Sequence, residues 1–362
     1  MKQRNFGLDI CRIIAMLGII VLHILDQGGV IRAVSGSNVN LWLLKWLFIL
    51  SAPAVNVFAI MSGYFGFCQT GGGTKRAIEL VLIMLVYSAA ITIVFMCFAP
   101  SAIAGVKGCI YGFFPPLAGR YWYITCFVPI LIFRPFINQM LLALTIKQHR
   151  IMVGVLIAVF SFIPAVVNVD MFAVNNGYSF FWLLCCYVIG AYLYRAEIEN
   201  KCNSSPKCYW QYIAFALAIS MLGLAINIAI FILARSSHVY LSEYTSPVIL
   251  AISILFVLFS KNLRVSCNTR FIRFVSNATF DIYIVHAHCL LYDHLLQGAF
   301  SWINNFPVWT IPTVVVLCAG AIFVCCAILS AIRMKIFRIL RVELLLQKLS
   351  AWCDKKLMQN EW

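Results

Sequence analysis

Residues 6–29 read FGLDICRIIAMLGIIVLHILDQGG. From 8 to 29 the run is long and apolar enough to cross a bilayer as a helix, which takes about 20 residues. It nevertheless carries Asp9, Arg12, His23 and Asp26. An ionised group at mid-bilayer costs roughly 2.5–3.5 kcal/mol on insertion scales, so a span that keeps several has a use for them. Lys2 and Arg4 precede the run as they would a secretory signal, but a small-residue cleavage site is missing and charges interrupt the stretch. It reads as a retained first span.

Working outward, nine further runs follow at 42–67, 76–99, 122–144, 151–168, 178–195, 211–234, 245–260, 274–298 and 307–332. Continuous apolar runs are read as helices because a helix satisfies its own backbone in lipid. The segment 101–119 is apolar too, but Gly105, Gly108, Gly112, Pro115 and Pro116 make it a re-entrant or interfacial loop, with an eleventh span as the alternative. The composition agrees: 63% of the 362 residues are apolar and 11% charged, against roughly 25% charged in soluble proteins. The expectation is an all-α polytopic membrane protein with about ten transmembrane helices. Residues 1–332 form the membrane domain and 333–362 a basic, amphipathic cytoplasmic tail that lies on the inner leaflet or serves as a stop-transfer anchor.

The net charge of +15 raises nucleic acid as a partner, and the placement of the 27 Lys and Arg residues decides against it. With the N-terminus inside, twenty fall on cytoplasmic segments and the tail, four on outer loops (Arg32, Lys107, Arg120, Arg235) and three within spans (Arg12, Lys45, Arg134). That asymmetry is the positive-inside pattern; it places both termini in the cytoplasm, and membrane lipids, not nucleic acid, are the partner. The fifteen cysteines fall mostly inside spans and form no C-x-x-C pair, so they read as small apolar residues rather than a disulfide or zinc framework.

Arg12 and His23 are eleven residues apart; on a helix that is about 1100°, three turns plus about 20°, so both share one face. Their axial separation is about 16 Å. Asp9 sits one turn before Arg12 and can pair with it. Asp26 sits one turn after His23 and can accept its N–H, as a triad carboxylate does; for both acids, end-capping is the plain alternative. In the ninth span, Asn277, Asp281 and His288 fall on one stripe and Tyr283, His286, Asp293 and His294 on another. His286 and His288 point apart on a continuous helix, so no metal site is expected. Weaker signals are Ser62-Gly63-Tyr64, which also reads as close helix packing, and Gly71-Gly72-Gly73-Thr74-Lys75-Arg76, which lacks P-loop spacing but ends in two cations. Trp122-Tyr123 has the look of an interfacial aromatic belt. Asn203-Ser204-Ser205 is expected inside and Asn277-Ala278-Thr279 in a span, so neither is read as glycosylated.

Asp9-x-x-Arg12 followed by ten residues and His23 resembles the opening signature of the integral-membrane acyltransferase 3 family, the glycan O-acyltransferases of bacterial envelopes. The resemblance continues through Ser62-Gly63-Tyr64, Lys75-Arg76, Trp122-Tyr123, Pro135 and Tyr283-x-x-His286, and so runs over most of the chain. The sequence departs from longer members in carrying no fused extracytoplasmic SGNH-type esterase domain, so the membrane part is expected to work alone or to hand its acyl group on. The resemblance implies transfer of an acyl group, usually acetyl, from cytoplasmic acetyl-CoA to a hydroxyl of an extracytoplasmic or lipid-linked glycan in the bacterial cytoplasmic membrane. No cofactor is expected to stay bound; acyl-CoA is the donor substrate. Arg12, Lys75 and Arg76 would hold the CoA phosphates. His23 would act as general base, with Arg12 and Asp26 completing the catalytic set and a covalent acyl-His23 relay left open. Trp122, Tyr123, Tyr283 and His286 would bind the acceptor. The alternative that intramembrane Asp and His residues leave open is a proton-coupled multi-span transporter.

Overall fold

The computed structural model describes residues 4–34, 39–67, 73–199, 209–234, 240–266 and 268–358, and among them all regular structure is helical. In chain order the helices are α1 (Phe6–Leu25), α2 (Val39–Ser51), α3 (Pro53–Gly66), α4 (Thr74–Phe98), α5 (Gly105–Phe113), α6 (Trp122–Ala143), α7 (Ile146–Ile157) and α8 (Ile163–Val167). There follow α9 (Phe180–Glu199), α10 (Trp210–Ala234), α11 (Pro247–Asn262), α12 (Thr269–His286), α13 (Cys289–Leu291), α14 (Ile311–Ile339) and α15 (Val342–Met358). Eight stretches among the described residues are long and apolar enough to span a membrane: α1, α2 with α3, α4, α6, α7 with α8, α9, α10 and α14. The 16-residue α11 and 18-residue α12 stand where the eighth and ninth spans were expected; at 1.5 Å per residue they measure about 24 and 27 Å, close to the hydrocarbon thickness. The protein is a multi-pass, all-α membrane protein.

Three expected spans are interrupted. The second breaks at Ala52, where Pro53 opens a new helix at its first position, the one place a missing N–H costs nothing. The fifth carries a π turn at Ala158–Phe162 between α7 and α8. The ninth, expected to run 274–298, ends at His286. His288 is extended, and its ring accepts the Leu290 N–H and donates to the Gly112 carbonyl. The stripe that joined His288 to Asn277 and Asp281 therefore does not exist. The 101–119 segment holds only the nine-residue α5 between two short 3-10 turns. At about 14 Å it cannot span a membrane.

The boundary at 332/333 falls inside α14, which continues to Ile339. The chain then reverses at Arg341, whose φ is 52°, and α15 folds back onto α4. The expected tail from 333 onward is therefore the end of α14 plus a separate helix, α15. Gly71, Gly72 and Asn203-Ser204-Ser205 lie outside the described residues.

Packing places α1 at the centre, against α2, α3, α11, α12 and α14. In its most apolar window 61% of residues are buried, against 11% for α7 with α8, which therefore faces outward. Helices α3 and α9 pack backbone to backbone: a Cβ on Gly63 would run into the Tyr187 carbonyl, and one on Gly190 into that of Ile60. Glycine at these two positions lets the backbones touch, which is the packing reading of Gly63. Arg4 reaches Asn277, Asn5 reaches the Lys261 carbonyl and Lys75 pairs with Glu343. The segment that opens α1 thus meets the end of α11 and the middle of α12, and the first turn of α4 meets the start of α15.

Candidate active site

Helices α1, α3, α4, α6, α12 and α14 surround a cavity of about 600 Å³, within the range of small-molecule sites. One end is lined by Arg12, Arg76, Arg134 and Arg333 with Glu79 and Asp281; the other by His23, Trp122, Tyr123, Tyr244 and Tyr283. Apolar side chains such as Met16, Ile19, Phe127 and Phe280 line the wall between. Because α1 is unbroken from Phe6 to Leu25, the eleven-residue spacing does place Arg12 and His23 on one face, along one cavity.

The cations of the basic end are held by a hydrogen-bonded frame. Asp9, 3% exposed, takes Arg4 in a two-point contact at 2.6 and 2.9 Å and the Ser276 hydroxyl at 2.8 Å, leaving Arg12 at 3.6 Å. Arg12 lies over the Phe65 ring at 4.9 Å, a cation–π contact that steadies the guanidinium without neutralising it. Arg76 pairs with Glu79 at 2.7 Å. Asp281 receives Arg333 Nη2 at 2.6 Å and Nε at 3.0 Å, the Ser330 hydroxyl at 2.6 Å and the Tyr87 hydroxyl at 3.2 Å, all on Oδ2. Its Oδ1 has no partner among the described residues. Such a pair fixes Arg333 at the cavity wall, since a carboxylate this buried is tolerated only when its charge is matched.

The opposite end is neutral and aromatic. His23 Nδ1 lies 3.1 Å from His286 Nε2, and His286 Nδ1 lies 2.5 Å from the Ile282 carbonyl one turn back on α12. Tyr292 stands edge-on to His23 at 5.1 Å. Trp122 stacks on Tyr244 at 5.9 Å and 20° and meets Tyr178 at 4.7 Å. The Tyr123 ring lies against Phe127, and its buried hydroxyl has no partner among the described residues.

Of the residues singled out from sequence, Arg12, His23, Arg76, Trp122, Tyr123 and Tyr283 line this cavity. Three do not. Asp26 does not meet His23: α1 ends at Leu25, the chain turns through Gly28 and Gly29, and the Asp26 carboxylate, 59% exposed, binds Arg32 at 3.0 Å. The partner of His23 is an imidazole from α12, not its own neighbour. His286 sits behind His23, 6% exposed, with both nitrogens engaged, so it does not touch what fills the cavity. Lys75 turns outward to Glu343 of α15. Sequence reading missed Arg333, assigned to the tail, and the partnership of Asp281 with it across 52 residues. It also passed over Tyr244 and Arg134; an arginine within a span was the signal for the latter. Among the described residues no three His, Cys, Asp or Glu side chains converge as metal ligands.

Fold and cavity together define a polytopic membrane protein with a chamber of small-molecule size inside its helix bundle. Residues 5–330 match the family described as an acyltransferase domain, acyltransferase 3. The chain belongs to this family of membrane acyltransferases. No curated protein and no solved structure matches it.

Proposed function

We propose that the protein moves an acyl group, acetyl in the first instance, from cytoplasmic acyl-CoA to a hydroxyl of an extracytoplasmic or lipid-linked saccharide, in the bacterial cytoplasmic membrane. The observation that carries this is a single cavity with arginines at one end and an imidazole at the other. The CoA phosphates are polyanionic and belong with Arg12, Arg76 and Arg333, where charge-assisted hydrogen bonds hold them. Lys75, which turns to Glu343 and does not line the cavity, is left out of this contact. The apolar wall takes the uncharged arm of the donor, so that its thioester reaches His23.

A saccharide hydroxyl is a weak nucleophile, and His23 supplies the base. Its ring takes the hydroxyl proton as the new ester C–O bond forms; the thioester C–S bond then breaks and the same ring returns the proton to the CoA thiolate. Trp122 and Tyr244 offer stacking surfaces to a sugar ring, and the unpartnered Tyr123 hydroxyl offers a hydrogen bond. Asp26 takes no part, being held by Arg32. Purified protein in lipid, given acetyl-CoA labelled in the acetyl group, should release CoA and transfer label to envelope saccharide. Full transfer by folded His23→Ala would remove His23 as base, and solute uptake without CoA release would favour a transporter instead.

A further inference from the structure

We infer that His286 is the positioning residue for His23, through a chain of hydrogen bonds that fixes the tautomer of both rings. It starts at the backbone. The Ile282 carbonyl can only accept, so the His286 nitrogen 2.5 Å from it, Nδ1, carries the hydrogen. No carboxylate among the described residues hydrogen-bonds to either ring: Asp26 is held by Arg32 and Asp293 by Arg120. His286 is also buried, where an unmatched cation is costly, so it is neutral and its Nε2 is a lone pair. That lone pair faces His23 Nδ1 at 3.1 Å, so His23 Nδ1 must carry the hydrogen of the contact.

The consequence reaches the reacting atom. With Nδ1–H committed to His286, the lone pair of His23 is on Nε2, which has no hydrogen-bond partner among the described residues, and His23 lines the cavity while His286 does not. The ring is thus presented with its basic nitrogen available to a substrate hydroxyl. In a triad a carboxylate selects the tautomer of the base; here a second imidazole, itself set by a backbone carbonyl, does so. Hydrogen bonds in series polarise one another, so when His23 gains a proton at Nε2 its Nδ1–H donates more strongly to His286, and no second proton moves.

The catalytic half of this inference rests on the acyl-transfer reading above; the tautomers do not. The protein has six histidines, so a protein labelled with ¹⁵N only at histidine gives few ring signals, assigned by His23→Gln and His286→Gln. The expected spectrum at neutral pH shows both rings uncharged, with hydrogen on Nδ1. A His23 ring with hydrogen on Nε2, or either ring charged, overturns the inference whether or not activity has been found. Kinetics then test the role: His286→Phe should lower kcat by about 100-fold, in the range for a mispositioned base, with KM for acetyl-CoA within about twofold. His286→Gln places an amide oxygen where Nε2 was and should restore kcat to within about tenfold of the unaltered protein. Unchanged kcat in His286→Phe, or a His286→Gln variant as slow as His286→Phe, overturns it. A protein that turns over no acyl-CoA at all removes the proposed activity and leaves the tautomer result standing.

Discussion

The two ends of the cavity solve the problem of polar groups in a membrane in opposite ways. At the basic end each acid is matched by an arginine: Asp9 with Arg4, Asp281 with Arg333, Glu79 with Arg76. At the other end the polar side chains are neutral and several are satisfied by backbone carbonyls: His286 by Ile282, Tyr121 by Ile284, His288 by Gly112. The difference fits the roles proposed for the two ends. A phosphate site needs cations that stay ordered when empty, and acidic partners provide that. A proton-transfer site needs an imidazole whose lone pair is free, and carbonyl-anchored neutral groups orient it without competing for the substrate proton.

Substitutions at the two ends should therefore fail differently. The largest effect is expected for His23→Ala, which should lower kcat by about 1000-fold, within the span ascribed to general bases, while acyl-CoA binding, followed by calorimetry, stays unchanged. An equal loss of binding would mean that the two ends are not separable. Asp281→Ala should come next: it strands a buried guanidinium and should cost about 3–5 kcal/mol of stability, seen as a lowered unfolding temperature in detergent. Arg12→Ala removes a charged hydrogen-bond donor worth about 1.5–3 kcal/mol, so KM for acyl-CoA should rise by at least about tenfold with kcat little altered. Gly63→Ala must push α3 from α9 and should cost about 1–3 kcal/mol as overpacking, measured by the same thermal unfolding. The smallest effect is expected for Glu343→Gln, since its pair with Lys75 is exposed; a loss beyond about 1 kcal/mol would show that α15 is held by more than a surface ion pair.

How much of this was readable beforehand depended on sequence distance. Arg12 and His23 lie in one unbroken helix, where 100° per residue is enough to place them together. Hydropathy placed all eight of the long apolar stretches, while the eighth and ninth expected runs became the shorter α11 and α12. The partner of His23 was not readable. Asp26 was the near carboxylate, while the true contact comes from His286, 263 positions away, and only packing of α1 on α12 brings it there. The Gly28-Gly29 pair was a stop signal that argued against a helical Asp26. The break after His286 had no such signal, because Ala287 and His288 are neither proline nor glycine. It is made by a side chain, through contacts with Leu290 and with Gly112 of α5. Likewise Arg333 looked like one of several tail cations until Asp281 claimed it.

The early end of α12 has an electrostatic consequence. α1 stops two residues after His23, and α12 stops at His286 itself, so two helix carboxyl ends meet at the imidazole pair. Each such end carries about half a negative elementary charge, spread over carbonyls that no longer find an N–H within the helix. In the proposed reaction, positive charge that builds on His23 would arise in the negative potential of these two backbone ends. The bundle furnishes, from peptide dipoles alone, the counter-charge that Asp26 was too far outside to give.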